Sequence, residues 1–306
     1  MSGQPSPGAV TGSGFDGFEL TQVDVGATSL RVRIGGSGPP LVLLHGFPQT
    51  HLMWKPVAAD LARDFTVIAP DLRGYGGSGQ PPSEAGHDGY SKRAMALDVV
   101  TLAHHLGHRR FGLVGHDRGA RVAYRTALDH PDAVERLAVL DIVPTSDMYA
   151  RMDAEMALRI WNWTFLPQRA PLPESWIDAD PLAFLERVGA VNPTYVDAEA
   201  RADYLAAVSN PAVVHAMCED YRAGAAVDWP LDAADHGSRT ITCPTLALWA
   251  EHGAVSRWFD VLATWRMWAE DLQGRELAGC GHFFPEEKPA ETVTALREFF
   301  GAATTT

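Results

Sequence analysis

Residues 115–119 read Gly-His-Asp-Arg-Gly, preceded by a short apolar run, Phe111 to Val114, and followed by a helix-length segment, Ala120 to His130. Glycines two positions either side of a central residue suit a tight strand-to-helix turn, because side chains there would collide when the central backbone is forced into strained geometry. Such an elbow holds its central side chain above the sheet and at a helix N-terminus, and here that side chain is the carboxylate of Asp117. A carboxylate so placed can displace a leaving group from a saturated carbon, forming an alkyl ester that water must then open. Opening the ester calls for a general base and a group to orient it. His282, in Gly281-His282-Phe283-Phe284-Pro285, stands after the last expected strand and before the closing helix, which makes it the expected base. Two acids could orient it: Asp141, at the end of the strand after the elbow helix, with Glu251, in Trp249-Ala250-Glu251-His252-Gly253, as the alternative. The competing reading of 115–119, a polar turn without chemistry, is weakened by the strand and helix that flank it.

These residues need a scaffold, and the pattern around them supplies one. Short β-like runs (Leu30–Ile34, Leu41–Leu44, Phe65–Pro70, Phe111–Val114, Leu137–Ile142, Thr245–Trp249) alternate with helical segments at His51–Arg63, Ser91–Leu106, Ala120–His130 and Thr292–Phe300. That alternation predicts an α/β fold with a doubly wound, mostly parallel sheet. From Pro144 to about Asp235 the text is helical, rich in tryptophan and proline, and without a convincing strand. The expected organisation is a disordered tail over 1–15, a first core segment over 16–143, an inserted helical cap over 144–235 and a second core segment over 236–302. The cap is expected over the carboxyl ends of the strands, where ligands bind in such sheets.

The bulk properties narrow the partners. With 306 residues, 46% hydrophobic and 21% charged, the chain can bury one large core. A net charge of −13 argues against a nucleic-acid surface and against docking on anionic membrane, so an anionic substrate would need a local cluster of arginines. The three cysteines, Cys218, Cys243 and Cys280, fit no zinc or disulfide spacing and read as reduced core residues of a cytoplasmic protein. Nothing resembling a signal peptide or a membrane span is read. The absence of a metal cluster, dinucleotide fingerprint or P-loop leads to the expectation of no cofactor.

Six stretches taken together resemble the fluoroacetate/haloacetate dehalogenases: His45 to Thr50, Asp71 to Ser78, Gly115 to Arg121, Leu140 to Thr145, Cys218 to Gly224 and Gly281 to Glu287. The likeness runs over nearly all of residues 30–300 and is far more specific than the elbow alone. It implies an α/β-hydrolase fold in which Asp117 displaces halide with inversion, and His282 paired to Asp141 activates water. It further implies that Arg118 and Arg121 hold the carboxylate of a small halogenated acid. Their i, i+3 spacing agrees, since it puts both on one helix face beside a helix N-terminus. By the same resemblance the backbone N–H groups of Phe47 and Arg118 form an oxyanion hole. Asn162, Trp163 and Tyr221 would receive the halide, and the protein would be a homodimer.

Asn162 is a departure, since the family carries histidine there. Fluoride is small, strongly hydrated and a poor leaving group. Losing a charged donor costs about 1–3 kcal/mol, or roughly one to two decades in rate, so fluoroacetate is expected to react more slowly than chloro- or bromoacetate. The alternative activity is an epoxide hydrolase with the same aspartate nucleophile, using phenols among Tyr149, Tyr195, Tyr204 and Tyr221. The two arginines count against it, because an epoxide has no carboxylate to grip. A haloalkane dehalogenase is disfavoured by arginine at 118, where that family has tryptophan. A ligand-sensing module without activity is disfavoured by the intact set of Asp117, His282 and Asp141.

Overall fold

Strands buried on both faces read as largely apolar runs, and four of them do so here: Pro40–Leu44, Thr66–Pro70, Phe111–His116 and Thr245–Ala250. The computed structural model, which describes residues 14–301, gathers eight strands into one sheet. In chain order they are β1 (Glu19–Asp24), β2 (Ser29–Gly35), β3 (Pro40–Leu44), β4 (Thr66–Pro70), β5 (Phe111–His116), β6 (Val134–Leu140), β7 (Thr245–Ala250) and β8 (Leu272–Leu277). Their spatial order is β1-β2-β4-β3-β5-β6-β7-β8. The first two pairings, β1 with β2 and β2 with β4, are antiparallel; every later pairing is parallel. The chain leaves β3 toward β4 on one side and returns to β5 on the other. The reversal opens a crevice at the carboxyl ends of β3 and β5, the place where such sheets bind ligands.

β1 and β8 were absent from the sequence expectation. Both are edge strands with mostly exposed side chains, so neither carries an apolar run. The Ser91 cap is present, its hydroxyl accepting from the Ala94 N–H at the start of the helix Lys92–His105. Between β6 and β7 the chain passes only through helices, from Thr145–Arg151 to Trp229–Asp235, with no strand among the described residues.

The expected disordered tail needs a correction at its inner end. Residues 1–13, like 302–306, lie outside the described residues, but Phe15 is buried. Its ring sits 5.1 Å from that of Phe18 and 5.6 Å from that of His51, because an aromatic side chain beside an apolar face gains more from burial than from solvent. Gly301 ends the helix Pro289–Gly301. The three cysteines are free thiols, and no helix among the described residues is long and apolar enough to cross a membrane.

Candidate active site

The elbow forms where β5 meets the helix Arg118–Asp129. Asp117 lies between them at φ 47°, ψ −116°, a conformation L-residues rarely adopt. Its glycines are required by close approach. A Cβ on Gly119 would lie 2.4 Å from the carbonyl oxygens of both Leu44 and His45, and one on Gly115 would lie 2.4 Å from the Gly119 carbonyl. The sheet therefore presses the elbow against the end of β3. This brings the Phe47 N–H to the nucleophile, where it donates to Asp117 Oδ1 at 3.0 Å. Oδ1 is thus held, and Oδ2 faces His282.

His282 Nδ1–H donates to Asp141 Oδ2 at 2.6 Å, and the Ala250 N–H donates to the other Asp141 oxygen at 3.0 Å. Because a carboxylate only accepts, the partner assigns the imidazole tautomer: Nδ1 carries the proton and Nε2 is the free base. Nε2 stands 3.8 Å from Asp117 Oδ2, beyond hydrogen-bond reach and so uncommitted. Asp141 also sits at positive φ, 54°, the strain falling on the residue that aims the base. Glu251 is elsewhere: its half-exposed carboxylate accepts from the Gly279 N–H at 2.8 Å. Between the two acids the geometry brings Asp141 to the histidine.

Burial alone would raise the Asp117 carboxyl, but His282, His116 and Arg121 outweigh it and hold the group below the ordinary aspartate value. Burial pulls His282 down, and the hydrogen bond and charge of Asp141, with the charge of Asp117, carry it above the ordinary histidine value. His116, which the sequence reading passed over, anchors this arrangement. Its buried Nε2–H donates to the His282 carbonyl at 2.8 Å with the rings 4.6 Å apart. Burial takes its pKa down to about 4, which keeps it neutral and a donor. A histidine inside an elbow motif carries no sequence signal for that role.

The two arginines part company. Arg121 is buried and lines the same cavity as Asp117 and His282, a space of about 230 Å³. One of its amino groups donates to the Val143 carbonyl at 3.0 Å and to Thr145 at 3.2 Å, and its guanidinium lies 4.5 Å over the Trp163 ring. Among the described residues it has no carboxylate within ion-pair distance, and its buried Nε has no hydrogen-bond partner. Burial holds this guanidinium below the ordinary arginine value. Arg118 is engaged differently. Its Nε and one amino group donate to Asp220 at 2.8 Å each, its side chain is absent from the cavity lining, and it lies 4.2 Å over the Tyr221 ring. Asp220 also accepts from Lys92 and from the Tyr75 hydroxyl. The other amino group of Arg118 has no hydrogen bond among the described residues.

The cap closes the cavity with Trp161, Asn162, Trp163 and Tyr221. The Asn162 amide donates to the Tyr221 hydroxyl at 3.0 Å, and Tyr221 packs edge-on to Phe47 at 5.0 Å. The other tyrosines lie away from the lining: Tyr149 packs on Trp163 and Trp229, Tyr195 donates to the Gly189 carbonyl, and Tyr204 to Glu286. Arg159 and Arg187, which the sequence reading also missed, line the cavity from the cap. Among the described residues no group of three or more His, Cys, Asp or Glu side chains is arranged to hold a metal ion.

Comparison with known proteins gives the family of the chain. The model of the alpha/beta hydrolase fold family matches residues 39–289. The chain is 45% identical to a fluoroacetate dehalogenase from Burkholderia sp., over 94% of this chain and 96% of that one. It is 35% identical to a soluble epoxide hydrolase from Corynebacterium sp. (strain C12), over 87% and 91%. Its backbone superposes on the crystal structure of an α/β hydrolase from Nostoc sp. PCC 7120 with a TM-score of 0.92 and 48% identity, covering 94% of this chain and 100% of that one. The protein belongs to the α/β-hydrolase family and, within it, to the fluoroacetate/haloacetate dehalogenases.

Proposed function

We propose that the protein is a hydrolase of carbon–halide bonds that converts haloacetates, chloro- and bromoacetate foremost, to glycolate and halide. One observation carries the reading: a buried guanidinium without a carboxylate partner among the described residues, Arg121, shares a small cavity with a carboxylate nucleophile, Asp117. In that setting the acid group of the substrate meets Arg121, and its α-carbon comes to Asp117 Oδ2. A C–O bond forms as the carbon–halogen bond breaks, and the halide leaves with the electron pair toward Asn162, Trp163 and Tyr221. Because Tyr221 accepts from Asn162, its own O–H remains free to donate to the leaving halide. Water then adds to the ester carbon while His282 Nε2 takes its proton. Oδ1, already held by the Phe47 N–H, takes up the negative charge. Breaking the acyl C–O bond, with His282 Nε2 returning the proton to the departing alkoxide oxygen, releases glycolate and restores Asp117 and the neutral base.

The electrostatics suit two steps. The Asp117 charge is one of the causes that raise His282, and esterification removes it. The base therefore becomes easier to keep neutral at the stage that needs it.

The epoxide reading has some of the curated and solved relatives in its favour, at 35% and 40% identity against 45% for the fluoroacetate dehalogenase. Against it, Tyr221 is the sole tyrosine lining the cavity among the described residues, whereas the epoxide oxygen would draw on tyrosines of the cap. The deciding assay measures halide release from chloro-, bromo- and fluoroacetate beside diol formation from styrene oxide. Release of chloride and bromide with slower fluoride is expected. Diol formation with no halide release would reject the proposal.

A further inference from the structure

The floor of the cavity is buried, but two of its lining residues are not. Arg159 ends the cap helix Ala154–Arg159, Arg187 lies in the last turn of Pro181–Val188, and both are exposed. Neither has a carboxylate within ion-pair distance among the described residues. The acids near Arg159 are engaged elsewhere: Asp153 pairs with Arg151 at 2.7 Å and Glu155 with Arg257 at 2.6 Å. Glu186, beside Arg187 in sequence, does not line the cavity. The lining holds three arginines, Arg121, Arg159 and Arg187, against two carboxylates, Asp117 and Asp141, so its formal charge without His282 is 3 − 2 = +1. The whole chain carries −13. The net negative charge opposes the approach of an anion, and the cavity rim is a place where two arginines without an ion-pair partner among the described residues face solvent.

We propose that Arg159 and Arg187 form an outer anion-capture site, which draws small carboxylates from solvent through the protein's negative field and passes them inward to Arg121. The proposal rests on the dehalogenase reading for its substrate, not for its binding step. Charge of one sign around a narrow entrance raises the local concentration of the opposite ion, an effect of about 10- to 10³-fold on association that fades with added salt. Such guidance acts before chemistry, so it appears in kcat/KM and KM and leaves kcat alone. Helix C-termini also favour arginine, and two residues serving only their helices would change melting temperature and nothing kinetic.

The test compares Arg159→Gln/Arg187→Gln with a charge-matched control, Arg169→Gln/Arg201→Gln, whose two exposed arginines lie on cap helices and loops outside the lining. At low ionic strength the rim variant is expected to lose roughly tenfold in kcat/KM for chloroacetate, with kcat within about twofold and a flatter dependence on salt. The control should stay near wild type. Equal losses in both variants, or no loss in the rim variant, would overturn the capture site. Acetate binding, followed by tryptophan fluorescence, keeps the question separate from turnover: a roughly tenfold weaker Kd is expected in the rim variant alone. If no halide is released but that difference is seen, the dehalogenase reading fails and the capture site stands. If halide is released but acetate binds both variants alike, the reverse holds.

Discussion

The floor and the roof of this cavity are built by different physics. The floor (Asp117, Asp141, His282, Phe47) is held by backbone: an elbow pressed against β3, two strained residues at positive φ, and hydrogen bonds of 2.6–3.0 Å to buried partners. The roof (Asn162, Trp163, Tyr221) is held by side chains stacking on side chains, with a hydrogen bond between Asn162 and Tyr221, and the exposed Arg159 and Arg187 stand at its rim. A floor fixed by close backbone approach tolerates little change and suits reaction chemistry. A roof fixed by aromatic packing can exchange one donor for another without moving the nucleophile, and that suits selection of leaving group. Arg121 joins the two, since it rises from the elbow helix and stacks under Trp163.

Three substitutions break or sharpen this contrast. The largest effect is expected on the floor, where His282→Ala removes the base of the second step only. Turnover should fall by roughly 10³- to 10⁴-fold, and the first step should still run. Intact-protein mass spectrometry after chloroacetate exposure should find a carboxymethyl group on Asp117; an unmodified protein would count against the ester. A smaller effect belongs to Asp141→Asn. Asp141 raises His282, and a histidine with a raised pKa is protonated, hence idle as a base, up to a higher pH. Wild-type turnover should therefore climb with pH through a midpoint set by His282 in the ester, where Asp141 still raises it and the Asp117 charge no longer does. In the variant the midpoint should move to lower pH, with turnover down by about 10²-fold as the ring loses its orienting charge. A midpoint that stays put would remove Asp141 from its assigned place. The smallest effect is on the roof: Asn162→His adds a donor that can carry charge. The fluoroacetate-to-chloroacetate rate ratio should rise about tenfold, the worth of one stronger hydrogen bond. Equal gains on both substrates would make the roof indifferent to the leaving group.

The same division separates what could be read from the chain and what could not. The elbow was legible because a sterically demanding turn leaves few residue choices: Gly115 and Gly119 stand where any Cβ would meet backbone. The central parallel strands were legible through their largely apolar runs. β1 and β8 were not, because an edge strand facing water has no such run. The choice between Asp141 and Glu251 lay open for a related reason: both end strands near the base, and only folding shows whose carboxylate meets the ring. His116 gave no sign, since a buried donor to a loop carbonyl leaves no pattern in sequence.

By itself the sequence determined the α/β class, the elbow that carries Asp117, and the helical character of the segment after Pro144. Local sterics and hydrophobic periodicity act over a few residues and are written there. Tertiary structure decided which acid meets the histidine, that Arg118 pairs with Asp220 while Arg121 lines the cavity without a carboxylate partner among the described residues, and that two cap arginines reach the rim. These are matters of long-range pairing: Arg118 and Asp220 are 102 residues apart, His282 and Asp141 are 141 apart. A charge is available to substrate only if no other part of the chain has folded against it first.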